Sequence, residues 1–324
     1  VVVMEPSTGK VLAMVSKPDF DPNDMANQWE ILNADDSQSP LLNRATQGLY
    51  PPGSTFKILT TLEYLREFPN DYMNYTYDCQ GSMSQGDVTI KCYDYEVHGF
   101  EDLQGSFQHS CNTSFANIGL QLDNDKFAQM CESVMFNGKL PTVLPYSSSQ
   151  FTLNGNSSVG ETMQTAIGQG DTLVSPFHMA MIVSAVANDG VLMTPYFVDH
   201  IENSDGIKVS DTKAIQYKKL MESDEARILN EYMQSVVNGG TASSLSGMGY
   251  SVAGKTGSAE YEVNGNTGSE DNFSTHSWFV GFSNVEDPDI VVSVIAEDGG
   301  TGSSAAVPIA REVFNSYYNY VKTY

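Results

Sequence analysis

The sequence predicts an α+β fold in which strands from both chain ends meet in one antiparallel sheet, flanked by helices, with an all-helical lobe inserted between them. Three observations carry this reading. Short apolar runs at Val1–Met4 and Val11–Val15 flank the turn Pro6-Ser7-Thr8-Gly9, the pattern of a β-hairpin. Strand-like runs return only near the other end, at Ser251–Glu260, Trp278–Phe282 and Ile290–Glu297. The stretch between them carries mostly helical spacing, with no internal repeat or low-complexity tract.

Taken in order, the hairpin opens a sheet lobe expected over roughly 1–45 and 240–324, and the helical lobe fills roughly 46–239 of what reads as a single domain. Pro51-Pro52-Gly53 stops the preceding segment, so Ser54 starts a helix as its cap or first residue. Ser175-Pro176 reads as the cap and first position of a helix that ends near Gly190. Residues 201–226 and 261–275 are polar, lack periodicity and read as loops. A closing helix has Pro308 near its first turn and Phe314, Tyr317, Tyr318 and Val321 at helical spacing.

Composition excludes some function classes. The 324 residues are 40% hydrophobic, enough for one large core or two packed lobes. Lys and Arg total 16 against 40 Asp and Glu, a net charge of −24, which argues against nucleic acid or anionic lipid as a partner. No apolar run approaches the ~20 residues that span a bilayer. The first residues do not read as a signal peptide, because Glu5 interrupts the apolar run and no basic segment precedes it.

Three short motifs describe one chemistry. Ser-x-x-Lys occurs at Ser7, Ser54 and Ser210, but only Ser54-Thr55-Phe56-Lys57 suits a nucleophile. The first copy falls in the hairpin turn and the last in a polar stretch. On a helix, positions three apart share a face, so the Lys57 amine lies beside the Ser54 hydroxyl. A desolvated, neutral amine can take the proton that keeps a serine hydroxyl unreactive. Taken alone, the same residues make an ordinary N-cap with a solvated lysine. Ser110-Cys111-Asn112 places a hydroxyl and an amide two residues apart, able to relay a proton and bind a carbonyl if a turn presents them, or forming a plain Ser/Asn turn. Lys255-Thr256-Gly257, followed by Ser258, reads as a glycine-bearing edge strand. There Lys255 and Thr256 can hold a carboxylate by charge and hydroxyl donation, unless the lysine is simply exposed on a hairpin.

With these motifs in this order, the chain resembles the transpeptidase domain of class B penicillin-binding proteins, of the penicillin-binding and serine β-lactamase superfamily. Longer stretches carry the resemblance, among them Asn43-Arg44-Ala45-Thr46-Gln47-Gly48-Leu49-Tyr50, Ile167-Gly168-Gln169-Gly170 and His276-Ser277-Trp278-Phe279-Val280-Gly281-Phe282. It implies a peptidoglycan D,D-transpeptidase that acylates Ser54 with the D-Ala-D-Ala end of a stem peptide and is trapped by β-lactams. By the same resemblance Lys57 is the base, Ser110 passes a proton to the leaving amine, and Asn112 holds the donor peptide. Lys255, Thr256, Gly257 and Ser258 bind substrate, with the backbone N–H groups of Ser54 and Ser258 as the oxyanion hole. It further implies an N-terminal membrane anchor and pedestal absent from this chain, a place on the outer face of a bacterial membrane, and a membrane glycan polymerase as partner. No cofactor is implied. A class D-like serine β-lactamase shares Ser-Thr-Phe-Lys, but its second motif ends in an aliphatic residue where this chain has Asn112. A β-lactam sensor domain is the third reading, opposed by the Asn23 and Tyr50 regions, which look like biosynthetic enzymes.

The four cysteines, Cys79, Cys92, Cys111 and Cys131, leave alternatives open. Cys79, Cys92 and His98 could begin a zinc site, but no fourth ligand stands out and no metal is expected. Buried free thiols are one alternative; a disulfide through Cys111, locking the Ser110–Asn112 turn, is another. His276 and Trp278 read as residues that cap and pack their strand, since no acidic partner at triad spacing accompanies them.

Overall fold

The computed structural model describes residues 1–262 and 273–322. The chain opens with the expected hairpin, β1 (Val2–Met4) and β2 (Val11–Met14). Then come α1 (Met25–Ala34) and, after a 3-10 turn at Gly53–Phe56, α2 (Lys57–Glu67). Four short strands follow: β3 (Thr76–Cys79), β4 (Ser82–Gln85), β5 (Val88–Lys91) and β6 (Gly99–Asp102). The helices α3 (Leu103–Gln108), α4 (Asn112–Gly119), α5 (Asn124–Ser133), α6 (Val159–Ala166) and α7 (Pro176–Ala187) build the body of the inserted lobe. Next are β7 (Val191–Met193), β8 (His200–Glu202), β9 (Lys208–Asp211), β10 (Gln216–Lys219) and α8 (Ser223–Gly239). The chain closes with β11 (Val252–Glu262), β12 (Phe273–Ser283), β13 (Val291–Ala296) and α9 (Ala306–Ser316).

The α+β class and the sheet shared by both termini are as expected, with strand order β11-β12-β13-β1-β2 and every pair antiparallel. One correction concerns the inserted lobe, which is not all-helical. It carries four two-stranded ladders, β3 with β6, β4 with β5, β8 with β9 and β10 with β7. Of these, β9 and β10 are exposed at all four of their residues, so no hydrophobic alternation marks them in the sequence. The expected loop over 201–226 therefore contains strands and the start of α8. Most of the expected 261–275 loop lies outside the described residues; Tyr261 and Glu262 extend β11 and Phe273 to Thr275 begin β12.

Two layers hold the sheet. On β12, Phe279 meets Phe314 of α9 edge-on at 6.4 Å, while the neighbouring Trp278 donates its indole N–H to the Pro51 carbonyl at 3.0 Å. Adjacent strand residues point to opposite faces, so α9 covers one face and the inserted lobe the other. The lobe is centred on α7, whose twelve residues are all buried, as suits a helix that is apolar all round. Ser175 caps it by accepting from the His178 N–H, with Pro176 at the first position, as the sequence indicates.

Two glycines set how closely the serine turn meets the segment after α6 within the lobe. Gly53 donates its N–H to the Gly168 carbonyl at 2.9 Å. Gly168 has φ of 81°, and a Cβ on it would lie 2.0 Å from the Gly53 carbonyl oxygen. Gly168→Ala therefore suffers a backbone collision as well as an unfavourable φ, whereas Gly206→Ala, at φ 75° with open space around it, suffers the φ alone. We expect Gly206→Ala to cost about 1–2 kcal/mol of unfolding free energy. Gly168→Ala should cost clearly more in the same denaturant titration; equal losses would show that the close approach is not rigid.

Candidate active site

The three motifs converge where the inserted lobe meets β11. Ser54 sits in the Gly53–Phe56 turn that runs into α2. Phe56 anchors this turn, its ring 5.9 Å from each of Phe127, Phe136 and Phe151. Gly53, Thr55 and Phe56 are buried, which leaves Ser54 as the member partly open to solvent. The turn lies flat against β11: a Cβ on Gly53 would fall 2.6 Å from the Ser258 carbonyl oxygen, and one on Gly257 would fall 2.9 Å from that of Pro52. The small residues of Lys255-Thr256-Gly257-Ser258 admit this approach, and β11 is an edge strand of the sheet, as read from the sequence.

Ser110 occupies the turn between α3 and α4 with φ of 58°, a left-handed conformation that a non-glycine residue adopts at a cost of about 1–3 kcal/mol. Two amines hold it there. The Lys57 amine donates to the Ser110 carbonyl at 2.7 Å, to the Asn112 Oδ1 at 2.7 Å and to the Ser110 hydroxyl at 3.2 Å. The Lys255 amine donates to that same hydroxyl at 2.8 Å. Asn112 in turn donates from Nδ2 to the Lys91 carbonyl at 2.9 Å. One serine hydroxyl thus sits between two lysine amines, both fully buried.

Burying a cation disfavours its charged form. Burial pushes the Lys57 amine down to about 8. Lys255 is pushed well below the ordinary lysine value, first by burial and then by facing Lys57. Aromatic faces offset part of the loss: Lys57 lies 5.2 Å from the Phe115 ring centre and Lys255 lies 5.5 Å from that of Phe107. Lys57 thereby gains a neutral form within reach of physiological pH, the state a proton acceptor needs. The same burial changes the picture for Lys255. Its amine points inward at Ser110, while the Thr256 hydroxyl, 2.5 Å from that of Thr241, is the polar side chain next along the strand.

Several residues that position the site carry no motif. Tyr50 donates its hydroxyl to Glu297 at 2.7 Å, and Arg44 Nε lies 3.0 Å from the same carboxylate, so the segment before Ser54 is tied to the end of β13. His276 meets Tyr50 edge-on at 5.4 Å and stacks on Tyr261 at 4.3 Å. Together with Trp278, it packs the segment leading to the serine turn against the sheet, the packing role expected for this pair. Thr241, ahead of β11, gives no local sign in the sequence of its link to Thr256. A further correction concerns Cys111, which completes a group with Cys79, Cys92 and His98, their ligand atoms all within 4.8 Å of one another. In sequence it belongs to the Ser110–Asn112 turn, apart from the other three, and only the fold brings it to them. All four cysteines, including Cys131 in α5, are free thiols.

The two amines should titrate far from ordinary lysines. Selective ¹³C labelling of lysine Cε, followed by NMR across pH, should show the Lys57 signal titrating near about 8, and it should vanish in Lys57→Ala. A Lys57 amine that titrates with the surface lysines would remove desolvation as the activating influence.

Comparison with known proteins agrees with this geometry. The profile of the penicillin binding protein transpeptidase domain matches residues 1–315. The peptidoglycan D,D-transpeptidase PbpA of Mycolicibacterium smegmatis is 34% identical over 327 residues, covering 96% of this chain and 65% of that protein. The chain thus spans about two thirds of the length of this relative. Among solved structures, the D,D-transpeptidase domain of a peptidoglycan glycosyltransferase from Eggerthella lenta superposes with a TM-score of 0.86 at 31% identity, covering 99% of this chain and 78% of that one. The penicillin G acyl-enzyme complex of penicillin-binding protein A from M. tuberculosis gives 0.85 at 28% identity, covering 98% and 74%. With its family profile matched almost end to end and its three motifs gathered at one cleft, this chain belongs to the penicillin-binding protein transpeptidase family.

Proposed function

We propose that this chain is the catalytic domain of a peptidoglycan D,D-transpeptidase that uses Ser54 as nucleophile. The observation that carries the reading is the pair of buried amines on the Ser110 hydroxyl, with Lys57 brought into a range where it can be neutral. Neutral Lys57 takes the Ser54 proton as Oγ attacks the carbonyl of the penultimate D-Ala. The developing oxyanion is met by the backbone N–H groups of Ser54, at the start of the turn, and Ser258, on the strand laid against it. Ser110 gives its proton to the leaving D-Ala amine and regains one from a flanking lysine, since both amines touch its oxygen. Free D-Ala departs and an ester to Ser54 remains. An amine of a neighbouring stem then attacks this ester, giving a cross-link and restoring the serine.

Asn112 holds the donor peptide by its amide, for which Nδ2 must leave the Lys91 carbonyl. The terminal carboxylate is met by the Thr256 hydroxyl and the N–H groups near Gly257, with Lys255 supplying charge from behind when protonated. A β-lactam enters the same steps, but its leaving amine stays tethered, so the ester persists. The M. tuberculosis relative forms such acyl-enzymes with penicillin G, imipenem and ceftriaxone.

No described helix is long and apolar enough to cross a membrane. In the cell, we place the domain on the outer face of the membrane, held by an N-terminal anchor beyond this chain, beside a membrane glycan polymerase. A net charge of −24 gives it no electrostatic help in gathering a negatively charged wall polymer. A penicillin-binding protein of Helicobacter pylori, PBP2, 26% identical to this chain, is known in complex with MreC, which supports a partnered role for this domain.

A fluorescent penicillin should label Ser54, located by mass spectrometry of the labelled peptide, and the adduct should outlast many catalytic cycles. Ser54→Ala should abolish labelling, and Lys57→Ala should slow it about 10²–10⁴-fold. Rapid release of hydrolysed drug would instead make the chain a β-lactamase.

A further inference from the structure

Residues 76–102 form a small two-ladder excursion with almost no apolar core. Strands β3 to β6 are mainly exposed, and only Cys79, Gly81, Ile90, Cys92 and Glu101 are buried along the whole stretch. Two of those five are cysteines. Excursions of this size are held by staples rather than by hydrophobic burial. Here the inner end is a separate cluster of three buried cysteines, Cys79, Cys92 and Cys111, with His98 beside them.

We propose that Cys79, Cys92, His98 and Cys111 bind a zinc ion that staples this excursion to the Ser110–Asn112 turn. The four side chains come from the end of β3, the residue after β5, the residue before β6 and the cap of α4. Cys79 and Cys92 sulfurs are 3.7 Å apart, and Cys92 and Cys111 sulfurs are 3.8 Å apart. Tetrahedral zinc with Zn–S bonds of ~2.3 Å puts its thiolates about 3.8 Å apart. The His98 Nδ1 lies 3.3 Å from the Cys79 sulfur, on the near side of the same group.

The surroundings suit thiolates. Backbone N–H groups of Gly81 and Ser114 point at the Cys79 and Cys111 sulfurs at 3.4 Å each. The Thr113 hydroxyl donates to Cys79 at 3.2 Å and lies 3.4 Å from Cys111. His98 Nε2, the nitrogen turned away from the sulfurs, is 3.7 Å from the Glu96 carboxylate. At that distance the carboxylate places negative charge behind the ring without a direct hydrogen bond. Three thiolates and one imidazole are a donor set that selects zinc over harder cations.

The position of the site ties it to the chemistry. Cys111 lies between Ser110, held at φ 58°, and Asn112, whose amide bonds the Lys91 carbonyl one residue before Cys92. Fixing residues 92 and 111 to one ion therefore fixes both ends of that contact and the strained turn. The coupling to acylation rests on the transpeptidase reading; the metal site does not.

The protein purified under reducing conditions without chelator should carry about one zinc per chain by mass spectrometry of metals. Cobalt exchanged into it should give the intense visible absorption of a tetrahedral thiolate site. Cys79→Ser and His98→Ala should lose the metal, whereas Cys131→Ser, in α5 away from the cluster, should keep it. Removing zinc from the wild type should slow labelling by a fluorescent penicillin about 10–100-fold, the scale of a misplaced catalytic group, and zinc should restore it. Folded protein without metal and with all four thiols free, or with Cys92 and Cys111 joined as a disulfide, would overturn the site. Full metal occupancy with labelling indifferent to its removal would overturn the coupling alone.

Discussion

The Ser110 hydroxyl between two buried lysine amines is the contact on which the rest of the cleft depends. Two cations within bonding distance of one small oxygen repel each other, and neither has water to spread its charge. The fold therefore keeps at least one of them neutral much of the time, which is the state a serine nucleophile requires. Each surrounding element can be understood as serving this arrangement. Helix α2 carries Lys57 in from one side, β11 carries Lys255 from the other, and the α3–α4 turn holds Ser110 in a strained conformation between them. Phe107 and Phe115 exclude water and present ring faces to the amines.

That arrangement needs the lobe and sheet in close register. Gly53, Gly168 and Gly257 let backbones touch where any side chain would intrude. Tyr50, Arg44 and Glu297 tie the serine segment to the far end of β13, and Trp278 bonds the carbonyl of Pro51. The stability held in the buried α7 and the five-stranded sheet is thus set against a desolvated, strained centre. Sites of this kind commonly trade stability for activity.

Much of this was legible in the sequence where the cause is local. The Ser54–Lys57 spacing, the Ser175-Pro176 cap and the hairpin at Pro6–Gly9 each follow from a few adjacent residues. What escaped depends on distance or on exposure. Strands β9 and β10 are exposed at every residue, β9 in a local hairpin with β8 and β10 paired back to β7, so alternation never marks them. The Tyr50–Glu297 bond joins residues 247 apart. Cys111 hides as a metal ligand because its neighbours declare another function. The inward aim of Lys255 could not be told from an exposed or cleft-facing lysine, since only the folded chain brings the Ser110 hydroxyl and the Phe107 ring to its amine.

The pH dependence of acylation tests the central claim most directly. If Lys57 acts as the neutral base, the rate of labelling by a β-lactam should rise with pH up to about 8 and then level off. Below that point the neutral fraction falls about tenfold per pH unit, and the rate should fall with it. Single-turnover labelling between pH 6 and 9.5, with folding checked at each pH, provides the measurement. A rate that is flat across this range, or that declines as pH rises toward 8, would contradict a desolvated lysine as the group that activates Ser54.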